Sequence, residues 1–216
     1  MRIPQRLWLL LLLNCLLLTA VAAVADDGAW KPLFNGKDLE GWELVGAKEG
    51  SWQVVDGELT TTGQGAGWLS TTGQYRNFEL ELEFRVPENG NSGVFLRAPR
   101  EGNAAFAGLE IQVLDDYGDK YKELKPYQYC GSLYATVAAE PRVSKRAGEW
   151  QTMRIVCEGR HVEVTLNGTR VVDANLDDHQ DKLSGHPGLA RNEGYVGLQN
   201  HSTPLAYRNI RIKPLP

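Results

Sequence analysis

The 216-residue chain has few sulfur-containing residues, with three cysteines and two methionines, and it carries no excess of positive charge. Its 23 lysines and arginines are outnumbered by 27 aspartates and glutamates, which gives a formal charge of -4. Proteins that bind a nucleic-acid backbone neutralise its phosphates with surplus cations. We therefore predict that nucleic acid is not a partner of this protein.

Long apolar runs are also scarce, and the one that stands out lies near the N-terminus. This run, over residues 7–18, follows Arg2 and Arg6 and precedes Ala23-Val24-Ala25. A signal peptidase cleaves after such a small-x-small sequence. We predict that residues 1–25 are a cleaved export signal, so that the protein is periplasmic or extracellular and keeps no membrane span. An uncleaved membrane anchor is the alternative, because the run is not much shorter than a span requires.

The mature chain, residues 26–216, has a length that suits a single domain. Cys130 and Cys157 remain after cleavage. An exported pair of cysteines can form a disulfide, but only if the two Cα atoms lie within about 7 Å of each other. A disulfide and two free thiols are both compatible with the sequence.

A sustained apolar pattern of helical period is absent as well, and two-residue alternation takes its place. From Phe78 to Val86, every second residue is apolar and the residues between them are charged. The stretch Gln151–Ala174 predicts a meander of three strands, and Asn167-Gly168 and Asp56-Gly57 predict tight type I′ turns. Further strand candidates are Trp68–Ser70, Gly93–Ala98, Leu109–Leu114, Ser132–Thr136, Tyr195–Gln199 and Tyr207–Ile212. This pattern is typical of an antiparallel β-sandwich or barrel.

The segment Gly108–Asp116 contains the first candidate site residues. If Leu109 and Ile111 enter the core, alternation sends Glu110 and Gln112 to the opposite face, about 7 Å apart. Two polar groups then share an open sheet face. The alternative is that both are simply solvated, as polar strand residues often are.

A second segment, Gly194–His201, places Tyr195, Gln199 and His201 on one face. A histidine next to an amide and a tyrosine is a candidate base or proton shuttle. The alternative is a loop histidine at the end of a strand.

In a third segment, Asn91–Arg97, Phe95 and Arg97 share a face and Gly93 leaves room for a close approach. Arg97 could bind a hydroxyl group or an oxyanion, or could pair with Glu110.

Tryptophan and tyrosine side chains can stack on the apolar faces of sugar rings. The stacking candidates are Trp42, Trp68, Tyr117, Tyr127, Tyr129 and Tyr134. Trp52 and Trp150 precede or begin strands and are predicted to anchor the core. The two longest connections, 117–129 and 173–192, are expected to border a binding site.

Signals for metal or phosphate binding are weak. Asp115, Asp116 and Asp119 could hold a structural calcium ion, but the spacing of an EF-hand loop is absent and a solvent-exposed acidic turn is the alternative. No other cofactor is indicated. The sequence also contains no Gly-rich phosphate loop and no Gly-x-Ser-x-Gly element.

Several segments together resemble the 3-keto-disaccharide hydrolase domain family over about residues 30–214. They are Leu33–Trp42, Asn91–Arg97, Leu109–Asp115, Gly148–Trp150, Leu166–Gly168, Gly197–His201 and Tyr207–Ile212. The resemblance implies an all-β fold, a concanavalin A-like jelly-roll sandwich of two antiparallel sheets whose concave sheet carries a sugar site. It also implies a substrate whose glucose ring is oxidised at C3.

A C3 ketone acidifies the hydrogen on C2, so a base can remove it and the group on C1 can leave by β-elimination, with water adding afterwards. Such chemistry requires a positioned base and donors for the enolate oxygen. We predict Glu110 or His201 as the base, and Arg97 and Gln112 as groups that orient the sugar. The remaining substrate-binding candidates are Asn91, Gln199, Tyr134 and Trp68.

Two other functions are compatible with parts of the sequence. Glu110, Gln112 and Asp115 have the spacing of a laminarinase-like glucanase signature, but Gln112 replaces the middle acid, whereas retaining hydrolysis needs two carboxyl groups. The strands around Glu149–Gly168 also resemble laminin-G-like binding domains. A carbohydrate-binding module that lacks catalysis is therefore the non-enzymatic alternative.

Overall fold

The computed structural model describes residues 29–216. The export signal predicted for residues 1–25 lies outside the described residues. Within the part of the chain that is described, no helix is long and apolar enough to cross a membrane.

The described residues form thirteen β-strands and a single α-helix, which is one turn long. The strands are β1 (Lys31–Pro32), β2 (Trp42–Val45), β3 (Trp52–Val55), β4 (Glu58–Thr62), β5 (Trp68–Tyr75), β6 (Phe78–Arg85), β7 (Asn91–Ala98), β8 (Leu109–Leu114), β9 (Gln151–Glu158), β10 (His161–Leu166), β11 (Thr169–Asn175), β12 (Gly194–Gln199) and β13 (Pro204–Pro214). Helix α1 spans Ala104–Ala107. Short 3₁₀ turns occupy Asp119–Tyr121, Pro126–Gln128, Leu176–Lys182 and Pro187–Ala190.

The strands form two antiparallel sheets. The eight-stranded sheet has the order β11-β10-β9-β6-β13-β4-β3, with β1 paired to β13, and the five-stranded sheet has the order β2-β5-β12-β7-β8. Neighbouring strands are therefore often distant in sequence, as in a jelly roll. The predicted all-β sandwich is confirmed.

Alternation along the strands builds the core between the sheets. In β6, Phe78, Leu80, Leu82 and Phe84 are buried, whereas the glutamates between them are partly exposed. Leu109, Ile111 and Val113 of β8 meet them from the other sheet, within the same apolar cluster. Each sheet thus presents one dry face inward and one face that other segments or solvent must cover.

Two predicted turns are found as expected. Asn167 and Gly168, with φ values of 51° and 81°, join β10 to β11, and Asp56 and Gly57, with φ values of 52° and 78°, join β3 to β4. Positive φ at both central residues defines the type I′ turn. The meander β9-β10-β11 is confirmed.

The predicted strand over Ser132–Thr136 is wrong. This segment forms turns, and Leu133 makes isolated bridges to Ile111 and Val137.

Cys130 and Cys157 are both buried and free, so no disulfide joins them. Burial raises the pKa of the Cys157 thiol to about 11.

The outer face of the eight-stranded sheet is held by ion pairs. Arg154 donates to Glu79, Arg208 to Glu83 and Arg211 to Glu81. A groove of about 660 Å³ crosses this face beside Glu81 and Glu83. The three glutamates of β6 on this face, Glu79, Glu81 and Glu83, are therefore each neutralised by an arginine.

Candidate active site

The outer face of the five-stranded sheet carries the polar side chains that the sequence singles out in β8. All six residues of β8 are buried, including the outward-facing Glu110 and Gln112, which are 4% and 5% exposed. The alternative that these two residues are solvated is therefore wrong. Helix α1 and the connection after β8 cover them.

The strand register fixes which side chains are neighbours on this face. Phe95 of β7 lies opposite Glu110 and also opposite Gly197 of β12. Gln199 of β12 lies opposite Trp68 of β5. Residues from four strands, β5, β7, β8 and β12, thereby form one surface.

Gly93 provides the space that Glu110 occupies. A Cβ atom at position 93 would lie 2.7 Å from the Cδ atom of Glu110 and closer still to its Oε1 atom. Since real Cβ atoms do not approach so closely, the Glu110 carboxyl group can take its position only above a glycine.

We call the hollow over Glu110 the Glu110 cavity. Its volume is about 230 Å³. Its lining residues are Asn91, Asn103, Ala105, Phe106, Glu110, Gln112, Leu114, Tyr121, Leu124, Gln128, Tyr134, Gln199 and His201. Among the described residues that line this cavity, Glu110 has the only carboxyl group, and the other walls are apolar, amide, phenol and imidazole groups.

The carboxyl group of Glu110 is buried without an ion-pair partner among the described residues. Among residues 29–216 no lysine, arginine or histidine forms an ion pair with it, whereas other glutamates of the sandwich, such as Glu58, Glu79 and Glu83, are paired with arginines. Burial raises the pKa of Glu110 from 4.5 to about 8. A carboxyl group with a pKa near neutrality can exchange protons with a substrate at physiological pH.

Amides and an imidazole surround this carboxyl group. Gln112 donates from Nε2 to Oδ1 of Asn91 at 3.0 Å, which fixes the orientation of both amides. Gln128 donates to Oη of Tyr134 at 3.4 Å. His201 is exposed at the rim. The structure thus brings Glu110, Gln112, Asn91, Gln199, Tyr134 and His201 together around one cavity.

The connection 117–129 borders the cavity through Tyr121, Leu124 and Gln128. The connection 173–192 packs against a residue of the cavity lining, since the ring of His186 contacts the ring of Phe106, with the two ring centroids 5.2 Å apart. Sequence reasoning missed Phe106 and the other residues contributed by helix α1. A weak signal was present, because Asn103 precedes an alanine-rich turn and accepts a hydrogen bond from the amide of Ala105, as a helix N-cap does.

The predicted role of Arg97 in the site is wrong. Its side chain is fully buried and donates to the carbonyl groups of Arg76 and Gly159, at 2.9 and 2.8 Å. The pairing of β7 with β12 shifts register here, and Arg97 has a φ of 49°. Such a bulge breaks the alternation, so Arg97 turns away from the face that Phe95 occupies.

Several aromatic predictions are also wrong. Trp42 belongs to the main core, where its Nε1 donates to the carbonyl of Leu33 at 2.7 Å, so it cannot stack on a sugar. Trp150 is no core anchor, because it is half-buried on the surface beneath the guanidinium groups of Arg85 and Arg208. Trp52 is buried in the core as predicted.

The remaining aromatic candidates differ in position. Tyr134 lines the Glu110 cavity and Trp68 lines a neighbouring cavity. Tyr117, Tyr127 and Tyr129 lie outside the linings of both cavities. The guanidinium group of Arg142 also covers the Tyr129 ring, with its Cζ atom 3.5 Å from the ring centroid.

The three aspartates considered for calcium do not converge. Asp115 accepts the amide of Asn89 at 2.9 Å, and Asp116 accepts the Ser144 hydroxyl at 2.6 Å. Asp119 is exposed and pairs with Lys122. Within residues 29–216, no cluster of three or more acidic, histidine or cysteine side chains is placed to hold a metal ion. An exposed acidic turn is also the wrong description for Asp115 and Asp116, which are buried.

The chain also matches a known protein family. Residues 29–213 match the 3-keto-alpha-glucoside-1,2-lyase-like domain. The chain belongs to this family. The predicted membership of a 3-keto-sugar family is therefore confirmed, and with it the prediction of a carbohydrate-active enzyme of the glycoside hydrolase or lyase type.

Proteins similar to this chain are known by sequence and by structure. The 3-keto-disaccharide hydrolase of Bacteroides thetaiotaomicron is 28% identical, over 88% of this chain and 80% of the relative. A proposed glycosyl hydrolase from Parabacteroides distasonis is 32% identical, with a TM-score of 0.76 over 87% of this chain and 100% of that chain. A Bacillus subtilis protein with a galectin-like fold, 13% identical, superposes with a TM-score of 0.55 over 86% of this chain and 94% of that chain, which shows the fold alone.

Proposed function

We propose that this protein is exported and that it cleaves the glycosidic bond of 3-keto-glycosides or 3-keto-disaccharides, with Glu110 as the base that removes the C2 hydrogen. The family and the B. thetaiotaomicron relative support the substrate class. The apolar run and the Ala-Val-Ala sequence before Asp26 support export.

The observation that supports the mechanism is the burial of the Glu110 carboxyl group at a cavity. Its carboxyl group is buried, faces a cavity that a sugar ring could enter, and lies beside the amides of Gln112 and Gln199. A carboxyl group whose pKa is close to the working pH accepts a proton efficiently. A weak carbon acid such as the C2–H beside a ketone requires such a base.

The electron flow balances without an external oxidant or reductant. Glu110 takes the proton from C2, and the C–H electron pair forms the enolate with the C3 carbonyl. The enolate then expels the group on C1, whose oxygen keeps the electron pair of the broken C1–O bond and takes up a proton. His201, at the rim of the same cavity, is the candidate donor of that proton.

The enolate oxygen requires hydrogen-bond donors, and Arg97 is not available to provide one. The amide of Gln112 retains one N–H beyond its bond to Asn91, and the Gln199 amide and the Tyr134 hydroxyl also face the cavity. Neutral donors held by the protein can stabilise an oxyanion in a water-excluded site. We assign the orienting role to Gln112 and Gln199.

The direct test is the release of the leaving sugar from 3-keto-trehalose, with unoxidised trehalose as the paired control. We expect turnover of the keto sugar only, and a loss of at least about a hundredfold in Glu110→Gln. The exposed acid Glu88 provides a control, since Glu88→Gln lies outside the cavity lining. Undiminished activity in both Glu110→Gln and His201→Ala would exclude both candidates, and equal turnover of trehalose would contradict the substrate class.

Direct hydrolysis of an unoxidised glucan is poorly supported. The second carboxyl group that it needs is missing from the cavity lining, where Gln112 occupies the neighbouring position and Asp115 is hydrogen-bonded to backbone amides elsewhere in the described chain.

A binding module would need no buried carboxyl group. It remains distinguishable as a protein that binds 3-keto-trehalose without releasing glucose.

A further inference from the structure

A second cavity adjoins the Glu110 cavity on the same sheet face. Its volume is about 300 Å³, and we call it the Trp68 cavity. Trp68 and Phe95 form its apolar wall, and Asn200 and Ser202 contribute polar groups. The mechanism above assigns no role to this space.

The two cavities share one wall. Asn103, Gln199 and His201 line both of them. The register agrees with this arrangement, because Gln199 lies opposite Trp68 while Phe95 lies opposite Glu110. A ligand held over Glu110 that extends past the shared wall must therefore enter the Trp68 cavity.

The strand beneath Trp68 has a glycine where the indole ring lies. A Cβ atom at position 197 would overlap the six-membered ring of the indole, so Gly197 lets this ring lie against the strand. Phe95 holds the indole from the side, with the ring centroids 5.5 Å apart and the planes nearly perpendicular. An aromatic wall fixed in this way can contact the apolar face of a cyclic ligand group at little cost in conformational entropy.

We propose that the Trp68 cavity binds the group that departs from C1, and that it selects departing groups that are cyclic, such as a second sugar ring. This inference rests on the proposed function, since it assumes that the oxidised ring occupies the Glu110 cavity. The glycosidic bond then lies at the shared wall, where His201 can reach the departing oxygen. Trp68 determines specificity and does not participate in the bond-breaking step.

The test compares two substrates that share the oxidised ring. Methyl 3-keto-α-glucoside has a departing group too small to reach Trp68, whereas 3-keto-trehalose presents a second ring. In Trp68→Phe and Trp68→Ala we expect kcat/KM for 3-keto-trehalose to fall by about tenfold or more, mainly through KM, while kcat/KM for the methyl glycoside changes by less than about twofold. Trp150→Phe is the matched control, because Trp150 directly precedes β9 of the other sheet and lines neither cavity.

A second variant avoids disturbing the buried indole. Ala66 is exposed at the rim of the Trp68 cavity and is absent from the lining of the Glu110 cavity. The added ring in Ala66→Phe should obstruct the second sugar ring and leave turnover of the methyl glycoside unchanged.

The outcomes separate this inference from the proposed function. If the substitutions lower turnover of both substrates equally, or of neither, the Trp68 cavity does not bind the departing group, although the proposed function survives. If the unaltered protein turns over neither keto substrate, the proposed function fails and this inference fails with it.

Discussion

Gly93 of β7 lies directly against the carboxyl group of Glu110 on β8. An added Cβ atom would lie 2.7 Å from the Cδ atom of Glu110. The position of the candidate base is therefore set by the absence of a side chain on the neighbouring strand. The closely packed surroundings also explain why burial can raise the pKa of Glu110 to about 8.

The first prediction concerns Gly93→Ala. The new methyl group must displace the Glu110 carboxyl group, and a misplacement of about 1 Å can cost about a hundredfold in rate. We expect kcat/KM for methyl 3-keto-α-glucoside to fall by at least about tenfold, with a loss in stability of about 1–3 kcal/mol from overpacking. Steady-state kinetics and thermal unfolding measure the two effects.

Gly73→Ala is the matched control for that substitution. Gly73 also lies in the five-stranded sheet, but a Cβ atom there would be 3.6 Å from Oη of Tyr75, which is an ordinary contact. Its activity should stay within about twofold of the unaltered protein. Full activity in Gly93→Ala would show that Glu110 need not occupy its observed position.

The second prediction is the pH dependence of catalysis. A base must be deprotonated to accept the C2 proton, so kcat/KM should rise with pH and level off above the Glu110 pKa of about 8. Below that value the slope should approach tenfold per pH unit. The residual activity of Glu110→Gln should lack this inflection. A rate that falls as the pH passes through this range would assign Glu110 the role of an acid.

The third prediction links the same carboxyl group to stability. Its pKa rises from 4.5 to about 8 on folding, so above pH 4.5 the unfolded chain loses a proton that the folded protein keeps. The carboxyl group therefore destabilises the fold increasingly from about pH 4.5 up to about pH 8. Glu110→Gln should be more stable than the unaltered protein by on the order of 2–3 kcal/mol at pH 7, and the difference should vanish at low pH.

Glu79 provides a control with the opposite sign. Burial raises the pKa of Glu79, but the hydrogen bonds and charge of Arg154 outweigh burial and lower it overall. Glu79→Gln should therefore destabilise the protein at neutral pH, and that loss should shrink as the pH falls. Denaturant unfolding at several pH values measures both variants. A pH-independent difference for Glu110→Gln would mean that its carboxyl group titrates normally.

The sequence predicted the site where local alternation is regular. In β8, period-two alternation places Glu110 and Gln112 on one face, and the structure agrees because Leu109 and Ile111 are held in the core. The depth of burial could not be predicted in the same way. It arises from helix α1 and from residues 117–137, which reach over the sheet from elsewhere in the chain.

The wrong predictions for Arg97, Trp42 and Trp150 have specific physical causes. Arg97 follows the same alternation in the sequence, but a register shift and a left-handed backbone reverse its side chain. Trp42 and Trp150 could not be told apart by residue type, because only tertiary packing places one in the core and the other beneath two guanidinium groups. The tight turns were predictable, since Asn-Gly and Asp-Gly favour positive φ locally.

The last prediction tests the structural role of Arg97. Its guanidinium group crosses toward the eight-stranded sheet and donates to the carbonyls of Arg76 and Gly159. Lysine cannot reproduce this branched pattern of donors. We expect Arg97→Lys to lose about 2–4 kcal/mol of stability, against less than about 1 kcal/mol for Arg85→Lys, because the side chain of Arg85 is only partly buried and its ion pair with Glu58 faces solvent. Because Arg97 points away from the Glu110 cavity, the folded fraction of Arg97→Lys should keep its kcat and KM for methyl 3-keto-α-glucoside. A large loss of kcat without loss of stability would instead return Arg97 to the catalytic machinery, and would require the bulge in β7 to rearrange when substrate binds.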